Sequence, residues 1–173
     1  MKLTTKMVSM VAAVSMAACT NAYRFGADDG AGAFDPNASA NAGIIAGSAS
    51  DPTSTAYFQQ AVGDRVLFEV DQSSLTAGGR TTLDGQATWL LTNADYTAIV
   101  EGHADEQGTR EYNIALGNRR ADAARSYLLS KGLPSSRLQI VSYGKERPIE
   151  ICSEEACYSK NRRAVTLLTA GLS

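Results

Sequence analysis

The chain has 173 residues, room for one domain of ordinary size with a good deal of chain to spare. Its 16 basic side chains stand against 18 acidic ones, a formal charge of -2, and no stretch gathers the bases into the face that nucleic acid requires. One histidine and three cysteines, with no Cys-x-x-Cys, exclude the usual zinc patterns.

Residues 1–18 have the form of a secretory signal: Lys2 and Lys6, then an apolar run from Met7 to Ala18. The run is well short of the roughly 20 apolar residues that a bilayer-spanning helix needs. Met16-Ala-Ala-Cys19 resembles the lipoprotein box of bacteria, where small residues precede a cysteine that becomes the mature N-terminus and carries lipid. That resemblance makes Cys19 a lipidation site. Thr20 stands where an aspartate would favour the inner membrane, so the expected destination is the outer one. Acyl burial contributes about 0.8 kcal/mol per CH₂, and the two or three chains of such an anchor hold it permanently.

Residues 19–56 are rich in Ala, Gly, Asn, Asp and Ser and lack sustained periodicity, so they read as a lipidated N-terminus and flexible linker. A chain of this kind spans roughly 35 Å root-mean-square and about 120–130 Å drawn out.

A folded domain is expected over 57–171. Asp64–Asp71 reads as a strand in which Val66, Phe68 and Val70 share a face. A helix is expected from Thr81 to Asn93, capped by Thr81 or Thr82, with Leu83, Ala87, Leu90, Leu91 and Ala94 near one side. Tyr96–Glu101 is a second strand, loosened at Gly102. A long alanine-rich helix runs from Thr109 to Lys131, stopped by Gly132 and Pro134. Leu138–Tyr143 is a third strand, Lys145–Glu150 a loop, and Arg163–Leu168 the last strand. The order β-α-β-α-β-β predicts an α+β two-layer sandwich, with helices packed on one face of a mixed four-stranded sheet.

The segment Glu101-Gly-His-Ala-Asp-Glu-Gln-Gly-Thr-Arg-Glu-Tyr-Asn-Ile-Ala-Leu-Gly-Asn-Arg-Arg-Ala121 closely resembles the signature of OmpA-like domains, and in particular those of the peptidoglycan-associated lipoproteins of Gram-negative bacteria. Val141-Ser-Tyr-Gly-Lys-Glu-Arg-Pro148 and Tyr158-Ser-Lys-Asn-Arg-Arg-Ala-Val165 resemble further blocks of that family, in the same order. The resemblance implies non-covalent binding of peptidoglycan through the diaminopimelate of its stem peptide, held by Asp105 and Arg120. It places Asp71, His103, Asn113, Leu116 and Arg163 at the pocket wall as weaker assignments. It also implies TolB and other Tol proteins as partners, and a link between outer membrane and cell wall that serves division.

Chemistry agrees with the two principal roles. The free end of diaminopimelate carries an ammonium, which a carboxylate accepts, and a carboxylate, which the planar fork of arginine grips bidentately. Glu101, His103 and Asp105 alternate and would share one side of a straight strand as a metal set, but Gly102 and the following turn argue against it, so no metal and no cofactor is expected. Cys152 and Cys157 lie close enough, in an oxidising periplasm, to favour a disulfide over a nucleophile served by His103. No catalytic residue is assigned, and an enzyme is not expected. Two other readings remain: a periplasmic protein-docking module that does not bind the wall, and an envelope hydrolase or redox protein.

Overall fold

The computed structural model describes residues 44–170. The leader, Cys19, the linker as far as residue 43 and residue 171 of the expected domain lie outside the described residues.

The chain opens with a short helix α1, Thr55–Tyr57, that widens into a π-type turn over Phe58–Gly63. There follow β1 (Arg65–Leu67), α2 (Ala77–Thr92), β2 (Tyr96–His103), α3 (Arg110–Ser130), a single 3-10 turn (Ser135–Arg137), β3 (Leu138–Gly144), α4 (Glu155–Asn161) and β4 (Arg163–Ala170). The sheet runs β1-β4-β2-β3, with β2 and β3 parallel and the other pairs antiparallel. Helices α2 and α3 cover one face, so the two-layer α+β sandwich with a mixed four-stranded sheet is the observed architecture.

The core lies between these layers. Phe58, Val66, Phe68, Leu83, Leu90, Val100, Ala121, Ala124 and Leu128 are all buried there. Alanine and glycine on α3 allow it to come very close to β2: a Cβ on Gly102 would lie 1.8 Å from the carbonyl oxygen of Gly117. Thr109 caps α3, its Oγ1 accepting from Tyr112 N at 3.2 Å. At the other end Gly132, at φ 99°, closes a Schellman turn in which Leu133 N donates to Leu128 O.

Four expectations need correction. The first strand ends at Leu67 rather than Asp71, because the carbonyls beyond it turn to arginines instead of a neighbouring strand. Phe68 O accepts from Arg162, and Glu69 O and Gln72 O accept from Arg120. Val70 is accordingly exposed. Helix α2 starts at Ala77, four residues early, with Thr76 as its cap; Gly78 and Gly79 disguise the start, and Leu91 faces solvent. The linker does not extend to 56. Pro52 O accepts from Trp89 Nε1 at 2.7 Å, Thr53 O accepts from Tyr96 OH, and buried Ser54 caps α1, so these polar residues serve as turn and cap against the domain. Helix α4 lies between the expected loop and the last strand, where the predicted order β-α-β-α-β-β has no helix.

Candidate functional site: a cavity beside Asp105

The end of β2 determines the site. Gly102 faces α3 while Glu101 and His103 share the other side of β2, and the one irregularity in the pairing, Tyr143, lies on β3; β2 ends at His103, and Asp105 follows two residues on. Asp105 and Asp71 both line a cavity of about 290 Å³. Val70 and Leu116 form its apolar walls, Gln107 and Gly108 its floor, and Tyr112 and Asn113, from the first turn of α3, its remaining side. Asn113 is buried and donates through Nδ2 to Gln107 O at 2.7 Å, which fixes the loop. Asp71 is the one non-glycine described residue at positive φ, 57°, a conformation that aspartate tolerates, and it accepts a hydrogen bond from Tyr112 OH.

Asp105 is 8% exposed. Its Oδ1 accepts from Gln107 N at 3.3 Å and its Oδ2 from Arg162 Nη1 at 3.2 Å. Arg120 lies behind the cavity wall rather than among its lining residues, and is fully buried. Its Nε donates to Gln72 O at 2.8 Å, Nη1 to His103 O at 2.9 Å and Nη2 to Glu69 O at 3.2 Å. One N–H on each Nη is left without a protein acceptor among the described residues. Burial pulls the Arg120 guanidinium down to about 10, a fall opposed by the nearby Asp105 carboxylate; it remains a cation at neutral pH.

Asp71, Asp105, Asn113 and Leu116 are thus brought together, with Arg120 immediately behind them. His103 and Arg163 are not. The His103 ring stacks on Tyr143 with centroids 5.7 Å apart, its Nε2 is 3.5 Å from Glu101 Oε2, and neither ring nitrogen has a hydrogen-bond partner. Burial, helped by the charges of Arg163 and Arg147, pushes its pKa down to about 4. His103 is therefore a neutral buried ring beside the sheet, not part of the cavity wall. Arg163 is spent on the carbonyls of Asn161 and Arg147.

Sequence reasoning missed Arg162. It is buried, its Nε donates to Phe68 O at 3.2 Å, and its Nη atoms meet both Asp105 and Glu155. The hydrogen bond to Glu155 holds its pKa above the ordinary value, against burial, which lowers it. The pair Arg162–Arg163 contained the signal: adjacent residues entering a strand point to opposite sides, so only one of them can face Asp105. A disulfide joins Cys152 to Cys157, with Cα atoms 6.0 Å apart, and encloses Glu155 in its ring.

A two-layer α+β domain with an acid-lined cavity where β2 hands over to α3 is the architecture of OmpA-like domains, and the OmpA family model matches residues 67–162. The chain is 47% identical over 163 residues to a peptidoglycan-associated lipoprotein of Mesorhizobium japonicum, covering 94% of this chain and 90% of that one. A protein of the same name from Brucella melitensis is 49% identical over 133 residues, or 77% and 79% of the two chains. The crystal structure of the peptidoglycan-associated lipoprotein from Burkholderia pseudomallei superposes with a TM-score of 0.62 at 33% identity, over 69% of this chain and 97% of that one. The chain belongs to the peptidoglycan-associated lipoproteins of the OmpA family.

Proposed function

We propose that the protein is an outer-membrane lipoprotein, anchored through acylated Cys19 after removal of residues 1–18, whose domain binds peptidoglycan non-covalently and ties the membrane to the wall. The observation that carries this reading is the cavity of about 290 Å³ with two carboxylates on its surface and a buried arginine behind it. Asp105, with Asp71 beside it, accepts the ammonium of the diaminopimelate head. The free N–H groups of Arg120 are suited to its carboxylate, once the 69–72 segment yields. Val70 and Leu116 pack against the methylenes between. Residues from 19 to the start of α1 act as the spacer, shortened by the turn and cap at 51–54. The function is mechanical rather than catalytic, and a moderate single-site affinity is multiplied by many copies on a polymeric wall. Partnership with TolB and the other Tol proteins in division follows from the family name and belongs to the same proposal.

Cosedimentation with purified sacculi tests it. The intact protein should pellet with them, free meso-diaminopimelate should release it, and Asp105→Ala should stay in the supernatant while keeping its circular dichroism spectrum. Unchanged pelleting of Asp105→Ala would remove the cavity from the account and leave a protein-docking module.

A further inference from the structure

The cavity's key carboxylate is not isolated from the rest of the fold. Arg162 touches Asp105 on one side and Glu155 on the other, and Glu155 lies inside the Cys152–Cys157 ring. Asn161 pins the two ends of this excursion: its Oδ1 accepts from Ile149 N and Glu150 N, and its Nδ2 donates to Glu106 and to Glu150 O. The middle is held differently. The Glu155 side chain is 64% exposed, and its only partner among the described residues is Arg162. It projects from the short covalent ring, at the first turn of α4.

We propose that this ring sets the strength of the ammonium site. With the disulfide closed, Glu155 neutralises Arg162, and Asp105 keeps its negative charge for the ligand. With the disulfide open, the first turn of α4 loosens, Glu155 leaves, and Arg162 turns its uncompensated charge on Asp105, in direct competition with the ligand's ammonium. Arg162 and Glu155 are then positioning residues for Asp105, and the cysteines are a redox control on wall binding. The reductant is a dithiol. One of its thiolates attacks a cystine sulfur, its second thiolate resolves the mixed disulfide, and both cysteine sulfurs take up protons. The two electrons come from the dithiol, which closes to its own disulfide.

This inference rests on the reading of Asp105 as the ammonium acceptor, and the experiment separates the two. Affinity for the tripeptide L-Ala-γ-D-Glu-meso-diaminopimelate is measured by calorimetry on the full-length chain, with Cys19 common to every arm. Oxidised protein, dithiothreitol-reduced protein, Cys152→Ser/Cys157→Ser, Glu155→Gln, Glu155→Asp, Glu154→Gln and Asp105→Ala are compared. Reduction, the double serine variant and Glu155→Gln should each weaken binding at least about fivefold, the low end of a coupling between sites. Glu155→Asp, which keeps the charge, should restore most of the affinity, and Glu154→Gln, in the same ring but without a bond to Arg162, should not differ from the oxidised parent. Should reduction unfold the domain, Glu155→Gln in the oxidised protein decides. Equal affinity of Glu155→Gln and parent, with Asp105→Ala inactive, overturns the control while leaving the site intact. Undiminished binding by Asp105→Ala overturns both.

Discussion

Replacing Arg120 by alanine should unfold more than it unbinds. The guanidinium donates to three backbone carbonyls from two separate segments: Glu69 and Gln72 after β1, and His103 at the end of β2. It also lies 5.3 Å from the Phe68 ring centroid. The His103 carbonyl is fully enclosed and would lose a charged donor at about 1–3 kcal/mol. The Glu69 and Gln72 carbonyls are nearer the surface, and water entering the vacated space recovers part of their loss. A net cost of about 3 kcal/mol is expected, comparable with removing one partner of a buried charged pair. For a domain of this size the melting temperature should fall by roughly 10–15 °C. Urea denaturation followed by circular dichroism measures the cost directly. A loss below about 1 kcal/mol would show that the three carbonyls find other donors, and that Arg120 does not hold the chain after β1 in place. Binding assays on this variant must therefore be read with its folded fraction. Arg120→Lys keeps the charge but cannot serve three acceptors and a ligand carboxylate together.

Asp105→Asn should lose binding of sacculi at a stability cost below the roughly 3–5 kcal/mol of an orphaned buried charge, since Arg162 retains Glu155 and the amide oxygen can still accept from it; a cost of that full size in urea would make Asp105 a structural residue instead. Gly102→Ala should destabilise by more than about 3 kcal/mol or prevent folding, because the new methyl would meet the Gly117 backbone, which has no rotamer with which to move aside; a soluble variant with the parent's melting temperature would contradict the close approach of α3. His103 gives a pH signature. Its folded pKa, about 4, lies below the ordinary 6.5, so between those values the unfolded chain binds a proton that the folded one does not. Stability should therefore rise with pH across that window, by at most about 3 kcal/mol, and be flat in this respect above it. As the lone histidine, its ring resonance can be titrated by NMR without assignment, and a midpoint near 6.5 would refute burial of a neutral ring.

Periodicity made the sheet and the two long helices readable, because β-branched strands and an alanine-rich helix ended by Gly132 carry local signals that tertiary packing only reinforces. Local signals failed where distant groups decide. Whether residues 68–72 continue a strand depends on arginines about 50 and 90 positions further along. Nothing near Val70 announces them. Likewise, Pro52 and Thr53 look like linker until Trp89 and Tyr96 claim their carbonyls. Within the site, Asp105, Asp71, Asn113 and Leu116 could be placed from motif blocks. The place of His103 follows instead from strand parity: it shares with Glu101 the side of β2 opposite to the one Gly102 turns to α3, and a motif block does not state that side. Arg162 was hidden by its neighbour of identical type.

The strand that appears last in the sequence lies inside the sheet, between β1 and β2. Until residues 163–170 have been synthesised, the earlier strands have no common partner, and β1, three residues long, has none at all. Before β4 is available only the parallel pair β2–β3 can form, and β1 stays out of the sheet. Once β4 inserts, strands nearly a hundred residues apart are joined in one step, so folding should be slow and all-or-none, and removal of even the final strand should leave no smaller domain behind.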